Sequence, residues 1–179
     1  MHPNPRDRNR TIRWARKVLA QPDRWVILDT ETTGLYGSDE VLEVAVIRPD
    51  GRVVLNSLVR PLYRREIPRG VIRIHGLTMR KLARAPSYPE LSRHLAKALR
   101  GKRVISYNAQ FDERLLHQTA QRNGGRHISA TWICAMKQYA AFKGKCTKLP
   151  GNKHRALADC KAVLRLIKKM ASARLSSRP

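Results

Sequence analysis

Asp29 and Glu31 are two carboxylates at the end of an apolar run, in a chain that is otherwise rich in positive charge. Residues two apart on a β-strand point to the same face, so both can be directed at one point if the strand extends that far. Carboxylates that lie close together raise each other's pKa unless a cation lies between them. Hard oxygen ligands suit Mg²⁺ or Mn²⁺. The pair predicts a metal site, and two solvated acids at a strand end are the alternative interpretation.

Asp159 is the only carboxylate side chain between Arg114 and Pro179. It could simply charge the first turn of the last helix, where the helix dipole favours a negative group by about 0.3 to 1 kcal/mol. His154 lies five residues earlier, at the junction between a loop and that helix, and is therefore expected close to Asp159 in space. This neighbour favours a functional role for Asp159.

Asp112, in the segment VISYNAQFDERLL, lies at the start of a helix directly after a strand. It could also serve only as a first-turn acid, as its neighbour Glu113 does. In an open sheet, however, ligand sites gather at the edge where strands pass into helices. That edge is where all four singled-out acids are expected to lie, namely Asp29, Glu31, Asp112 and Asp159.

A sheet and its helices must position these residues. Apolar patterning predicts strands at Trp25–Asp29, Val41–Arg48, Arg52–Arg60, Arg103–Tyr107 and Ile128–Ile133. It predicts helices at Ser87–Arg100, Gln110–Arg122 and Ala156–Met170, and a modest one that carries Ile12 to Leu19 and closes near Pro22. Pro49-Asp50-Gly51 is read as a hairpin turn. A hairpin followed by alternating helices and strands predicts an α/β domain with a mixed sheet.

The composition predicts a polyanionic partner. Lys and Arg number 37 against 13 Asp and Glu, which gives a formal net charge of +24, and the sequence pI is about 11.3. Such a balance points to nucleic acid. No apolar run approaches the ~20 residues that span a bilayer, so no membrane partner is expected. The cysteines form no C-x-x-C pair, which predicts a reducing, cytoplasmic location.

From Trp25 to Met170 the chain resembles the DEDDh 3′–5′ exonucleases. The segment DTETTGL matches the first motif of that family, NAQFD the second and HRALADC the third, and IHGLT resembles a segment commonly found between the first two. The resemblance implies an RNase H-like fold of three layers, in which helices flank a mixed central sheet of about five strands. It divides the chain into a basic N-terminal arm with a short helix (1–24), the exonuclease domain (25–172) and a short tail (173–179).

The resemblance also implies roles for these residues. Asp29 would bridge two divalent cations, Mg²⁺ or Mn²⁺, while Glu31 and Asp159 would hold the ion that carries the attacking water. Asp112 would complete the shell of the other ion. His154 would accept the proton of the water, which an imidazole can do near neutral pH. The terminal nucleotide would lie beside a further set of residues, namely Thr32, Gly34, Leu35 and Asn108.

The sequence departs from the family between Ile128 and His154. Relatives usually carry an Asp-Thr pair after the strand and an apolar helical segment before the histidine. This chain has Ile133-Cys134-Ala135 and then FKGKCTKLPGNK, which is short, basic and interrupted by Gly and Pro. Its lysines are predicted to contact phosphates, and a merely solvated loop is the alternative; they are Lys143, Lys145, Lys148 and Lys153.

The resemblance therefore predicts a metal-dependent 3′–5′ exonuclease that releases nucleoside 5′-monophosphates from single-stranded nucleic acid. DNA is favoured as the substrate, and an RNA-trimming exonuclease is the alternative within the enzyme class. A nucleic-acid-binding module that kept the fold and lost catalysis is the rival from another class. A proofreading subunit with a polymerase partner is a third hypothesis.

Overall fold

The computed structural model describes residues 3–63, 66–151 and 153–176. Its strands are β1 (Trp25–Thr32), β2 (Val41–Ile47), β3 (Val53–Leu58), β4 (Arg103–Ser106) and β5 (Thr131–Cys134). They form one sheet in the order β3-β2-β1-β4-β5. β1 pairs antiparallel with β2 and parallel with β4, so the sheet is mixed. The remaining pairs are antiparallel β2–β3 and parallel β4–β5.

The described α-helices surround this sheet. They are α1 (Pro5–Ala20), α2 (Arg69–His75), α3 (Met79–Leu82), α4 (Tyr88–Leu99), α5 (Ala109–Asn123), α6 (Ala135–Lys143) and α7 (Ala156–Ser172). None of them is both long enough and apolar enough to span a lipid bilayer, as far as the described residues go.

Alternating side chains of the central strand divide the core into two halves. Ile27 of β1 packs in one cluster with α1, α6 and α7, and its neighbours Val26 and Leu28 pack in another with α4 and α5. Helices therefore cover both faces of the sheet, and the predicted three-layer RNase H-like fold is confirmed.

The N-terminal helix is longer than the sequence pattern predicted. It begins at Pro5 and buries Ile12, Ala15 and Val18 in the same core cluster as α6 and α7. The beginning of the predicted tail also contacts it, because Ser176 donates its amide to Asn9 Oδ1 over 2.8 Å. Segments predicted as an arm and a tail are thus packed on the domain as far as Ser176. The division into 1–24, 25–172 and 173–179 remains a prediction.

Among the described residues, three short α-helices (α2, α3 and α6) were not predicted, and α6 is the most consequential. It occupies part of the segment in which the sequence departs from its relatives, and it ends at Gly144, whose φ of +77° is readily adopted only by glycine. The last strand is also shorter than predicted, because β5 starts at Thr131 rather than at Ile128. α2 and α3 pack beside the sheet over a third apolar cluster that contains Leu42 and Leu77.

Candidate active site

Strand β1 continues through Asp29 and Glu31 to Thr32. The two carboxylates can therefore point in the same direction, which was the condition for a shared metal site. Asp29 pairs with Ala45 of β2, and Glu31 pairs with Glu43. Both acids have the parity of Ile27 and therefore point to the side of the sheet that α7 covers. The strand thus places the two side chains on one face, at the end of β1 that precedes the loop to β2.

Asp112 lies in the first turn of α5, directly after β4. Two hydroxyl groups hold its carboxylate: Thr30 donates to Oδ1 over 2.8 Å, and Ser106 donates to Oδ2 through a very short hydrogen bond. These donors come from β1 and β4, which are neighbours in the sheet. The orientation of this carboxylate is therefore fixed by the same two strands that end at the site.

The third motif forms the loop into α7. Asp159 lies in the first turn of that helix and accepts the amide of Lys153 over 2.7 Å. Between them, His154 is exposed and has a φ of +48°, a left-handed conformation that is uncommon for residues other than glycine. One potential ligand atom each of Glu31, His154 and Asp159 lies within 4.8 Å of the other two. The predicted closeness of His154 to Asp159 is present in the structure.

The site brings several carboxylates close together in a buried environment. Burial raises the pKa of Asp29 well above its usual value, and the charges of Asp112, Glu31 and Asp159 raise it further. Burial, Asp159 and Glu43 raise the pKa of Glu31 to about 8. Burial also raises the pKa of Asp112 to about 6, although the hydroxyl groups that donate to it act in the opposite direction. Such carboxylates favour a bound cation, which would neutralise their mutual repulsion.

Glu43 is a further buried carboxylate beside the site, and the sequence analysis missed it. Both of its oxygens accept hydrogen bonds from Arg155, over 2.8 and 3.0 Å, and one also accepts the amide of Ala156 over 3.1 Å. Together with the Lys153–Asp159 bond, these contacts hold both ends of the loop that carries His154. The detectable signal was an acid inside the otherwise apolar run VLEVAVI, which needs a buried partner.

A cavity of about 560 Å³ opens at this end of the sheet. Its lining includes all nine residues predicted for the site: Asp29, Glu31, Thr32, Gly34, Leu35, Asn108, Asp112, His154 and Asp159. It also includes apolar side chains that the sequence analysis did not single out, namely Val71, Ile74, Phe111, Met136 and Leu149. One wall is thus acidic and another apolar, which suits a ligand with a charged group and a flat base or sugar.

His75 lines the cavity as well, although the sequence analysis assigned it no chemistry. Its Nδ1 accepts the amide of Leu77 over 3.0 Å, and its Nε2 lies 3.2 Å from the carbonyl oxygen of Thr32. Burial lowers the pKa of His75, and these partners fit a neutral ring that carries its proton on Nε2. The ring therefore ties the end of β1 to the segment IHGLT.

The loop after β1 is compact. A Cβ on Gly34 would lie 2.6 Å from a carboxylate oxygen of Asp39, so only glycine fits there without a shift. Asp39 in turn accepts hydrogen bonds from the Thr33 hydroxyl over 2.8 Å and from the Tyr36 amide over 2.7 Å. This arrangement leaves Leu35 68% exposed at the mouth of the cavity. Gly34 therefore has a steric role in shaping that mouth.

Among the loop lysines, Lys148 lines the cavity, whereas Lys143, Lys145 and Lys153 are exposed elsewhere on the same segment. The loop is anchored beside the site, because the Tyr107 hydroxyl donates to the carbonyl oxygen of Thr147 over 2.5 Å. The phosphate contacts predicted for these lysines remain a prediction.

The sequence matches the RNase T family, described as an exonuclease family, over residues 26–167. The chain belongs to this exonuclease family. The matched stretch contains the DTETTGL, NAQFD and HRALADC motifs, so the predicted membership in the DEDDh 3′–5′ exonucleases is confirmed. The protein is therefore an exonuclease of this type.

Two curated relatives agree with this assignment. The uncharacterized exonuclease CP81 of Escherichia phage 186 is 31% identical over 188 residues, which cover 91% of this chain and 95% of CP81. A DNA polymerase III subunit epsilon-like protein of Rhodobacter capsulatus is 37% identical over 101 residues, which cover 52% of this chain but only 14% of that protein.

Two solved structures share the fold of this exonuclease. E. coli ExoI in complex with ssDNA has a TM-score of 0.67 at 17% identity, and the similarity covers 84% of this chain and 41% of ExoI. A 3′-exonuclease that recognises the 3′ end of a histone mRNA stem-loop has a TM-score of 0.68 at 16% identity, with 83% and 63% covered. This exonuclease spans less than two thirds of either chain, and at these identities the likeness concerns the fold.

Proposed function

We propose that this exonuclease hydrolyses the 3′-terminal phosphodiester bond of single-stranded DNA and releases nucleoside 5′-monophosphates. The observation that supports the proposal most directly is the gathering of Asp29, Glu31, Asp112, Asp159 and His154 around one cavity. A phosphodiester is an anion, and an anion would be repelled by four carboxylates unless cations intervene. The donor set therefore fits a metal-dependent hydrolase.

The four carboxylates would hold two divalent cations, Mg²⁺ or Mn²⁺, which when bound supply activation of a water and stabilisation of the leaving 3′-oxygen. Asp112 has a fixed direction because Thr30 and Ser106 donate to it. His154, at the exposed rim, would take the proton of the water and pass it to solvent. The apolar wall around Leu35 and Phe111 would hold the terminal base or sugar.

The first test uses end-labelled oligonucleotides. Mono-nucleotide products from single-stranded DNA are expected with Mg²⁺ or Mn²⁺, none with EDTA, and none from an Asp29→Asn variant. A Glu113→Gln variant is the matched control, because Glu113 is an exposed acid on α5 beside the cavity-lining Asp112. Degradation in EDTA, or full activity of Asp29→Asn, would contradict the metal-dependent assignment. Binding without cleavage would favour a non-catalytic module.

An exoribonuclease activity is the second candidate. It is motivated by the fold shared with the 3′-exonuclease that recognises histone mRNA, and discrimination would depend on contacts to the 2′-hydroxyl. Measuring kcat/KM for DNA and RNA oligonucleotides of the same sequence separates the two candidates. If kcat/KM is higher for RNA than for DNA, RNA replaces DNA as the proposed substrate. The epsilon-like relative motivates a polymerase as a proposed partner, which co-purification with a replicative polymerase would test.

A further inference from the structure

A strip of aromatic and basic side chains, all exposed except the half-buried Phe111, leads away from the cavity along α5. Phe111 lines the cavity, and Arg114 and Arg122 follow it on the same face of the helix, three and eleven residues later. At ~1.5 Å per residue, Arg122 lies about 16 Å beyond Phe111. Tyr36 and Tyr63 lie on loops beside this face. We name the set of these five residues the α5 track.

Two of the three aromatic rings of the track are open to solvent. Tyr36 is 78% exposed and Tyr63 is 57% exposed. Guanidinium groups accompany the rings, because Arg122 lies 5.2 Å from the centre of the Tyr63 ring and Arg114 lies 5.5 Å from that of Phe111. A cation–π contact of this kind holds an arginine beside a ring, and the guanidinium group remains positively charged. The track thus alternates flat rings with positive charges.

Hydrogen bonds hold the Tyr36 loop against the helix. Arg114 donates to the carbonyl oxygen of Leu35 over 2.9 Å, and Gln118 donates to that of Tyr36 over the same distance. Gln118 also donates to the carbonyl oxygen of Asp39 over 2.7 Å. The backbone that carries Tyr36 is therefore fixed to α5 at both sides of the tyrosine.

The Tyr63 loop is held by Glu40, which is buried. The carboxylate of Glu40 accepts the amides of Leu62 and Tyr63 over 3.1 and 3.2 Å. It also accepts the side-chain amide of Asn123, at the end of α5, over 3.2 Å. Both tyrosines consequently have a fixed backbone before any ligand arrives, which lowers the entropy cost of binding.

Rings that alternate with guanidinium groups match the chemistry of a single nucleic-acid strand. Its bases have free faces that stack on aromatic side chains, and its phosphates are attracted to arginine. A duplex does not fit this surface, because its bases already stack on one another. The occupant must also be continuous with the cavity, since Phe111 belongs to both.

We propose that the α5 track binds the nucleotides preceding the 3′-terminal nucleotide of a single-stranded substrate. The proposal rests on the proposed function for the placement of the 3′ end. With a rise of about 3.4 Å per stacked nucleotide, the 16 Å track would hold at most about five of them. Affinity should therefore grow with substrate length up to about six nucleotides and then level off.

The test measures binding of fluorescein-labelled oligo-dT by polarisation in EDTA, where the strand stays intact. A Tyr36→Ala/Tyr63→Ala double variant should bind a dT12 strand roughly 30- to 100-fold more weakly, because each ring stacks one base. The Tyr36→Phe/Tyr63→Phe variant should bind as wild type does, since stacking is retained. A melting temperature equal to that of wild type will confirm that both variants fold.

Arg122→Ala should lower the slope of log Kd against log salt by about 0.7, as expected for one lost phosphate contact on a single strand. Lys97→Ala is the matched control, because Lys97 is an exposed cation that lines a different cavity, on α4. It should leave the slope unchanged. An equal change in the two variants would overturn the contact assigned to Arg122.

Cleavage separates this proposal from the proposed function. In Mg²⁺, the double alanine variant should show a raised KM for dT12 with an unchanged kcat, and a much smaller loss of kcat/KM for the dinucleotide dT2, which has only one nucleotide to place on the track. If the double alanine variant binds dT12 as tightly as wild type does, or loses kcat/KM equally on dT2 and dT12, the role of the track is refuted. The proposed function would still hold if the wild-type protein cleaves DNA. Weakened dT12 binding in a protein that cleaves nothing would support the track and refute the proposed function.

Discussion

Glu31 and Glu43 face each other across the β1–β2 pairing, and both are buried, yet the protein treats their charges differently. Glu43 forms a two-point ion pair with Arg155 and accepts the first amide of α7. Glu31 lies among other carboxylates, and burial together with Asp159 and Glu43 raises its pKa to about 8. One glutamate is neutralised by the fold, and the other is suited to a cation from solution. Glu43 therefore has a structural role beside the site, whereas Glu31 is suited to act as a metal ligand.

The largest expected effect is the loss of activity on removal of the Glu31 carboxylate. Glu31→Gln should lower kcat on single-stranded DNA by roughly 10³-fold, because a ligand of the cations that stabilise the transition state is lost. The measurement is single-turnover release of labelled mononucleotide at saturating Mg²⁺. Glu113→Gln serves as the control. A loss below tenfold would mean that Glu31 is not a metal ligand and that the contrast with Glu43 is purely structural.

Metal binding should also raise the melting temperature, and this measurement does not require catalysis. Ligands that bind only the folded state stabilise it by about 2.7 kcal/mol at a hundred times their Kd. Mn²⁺ should raise the Tm of the wild-type protein and leave that of Glu31→Gln nearly unchanged. Glu43→Gln should keep the shift, since its charge is already paired with Arg155. If Glu43→Gln abolishes the shift and Glu31→Gln keeps it, the two roles are reversed.

Replacement of Glu43 should mainly affect folding. Glu43→Gln leaves Arg155 without its anion, and since the arginine side chain is 48% exposed, the expected cost is about 2 kcal/mol, below that of a fully buried pair. In EDTA, Glu31→Gln should act in the opposite direction and raise the free energy of unfolding, because it removes an acid whose pKa folding raises to about 8, a shift that destabilises the folded state at neutral pH. Urea unfolding measures both. A change of the same sign in Glu31→Gln and Glu43→Gln would contradict the contrast drawn between the two glutamates.

The sequence alone identified the acids and the histidine because their positions follow from local rules. Asp29 and Glu31 share a strand face, and Asp112 and Asp159 each occupy the first turn of a helix. The five strands and the long helices were also predictable, the strands from short runs rich in apolar residues and the helices from the regular period of their apolar residues. These features depend on residues that are close in the sequence.

The missed features depend on residues that are distant in the sequence. Glu43 and Arg155 lie 112 positions apart and meet only after β2 pairs with β1 and α7 packs on the sheet. The apolar wall of the cavity likewise combines side chains from α2, α5 and α6. α6 itself escaped prediction because it is only nine residues long, and Ala135, Tyr139 and Phe142 are its only buried side chains. Such short helices are stabilised by tertiary packing rather than by propensity.

The pH dependence of stability offers the finest test of the comparison. In the metal-free protein, the pKa of Glu31 rises from 4.5 to about 8 on folding, so the folded state holds a proton that the unfolded state releases. The contribution of Glu31 to the free energy of unfolding should therefore be complete below pH 4.5 and be lost as the pH rises towards 8, by on the order of 1 kcal/mol per pH unit for one proton. Urea titrations between pH 5 and 8.5 in EDTA would measure this slope.

Glu31→Gln should flatten part of that slope, and the remainder would come from Asp29, Asp112 and Asp159, whose pKa values burial also raises. Glu43→Gln should leave a slope but move its upper limit to lower pH, because the charge of Glu43 is one cause of the raised pKa of Glu31. An unchanged profile in Glu31→Gln would show that its charge is compensated within the protein. Glu31 would then resemble Glu43, and the metal ligands would be expected among Asp29, Asp112 and Asp159 instead.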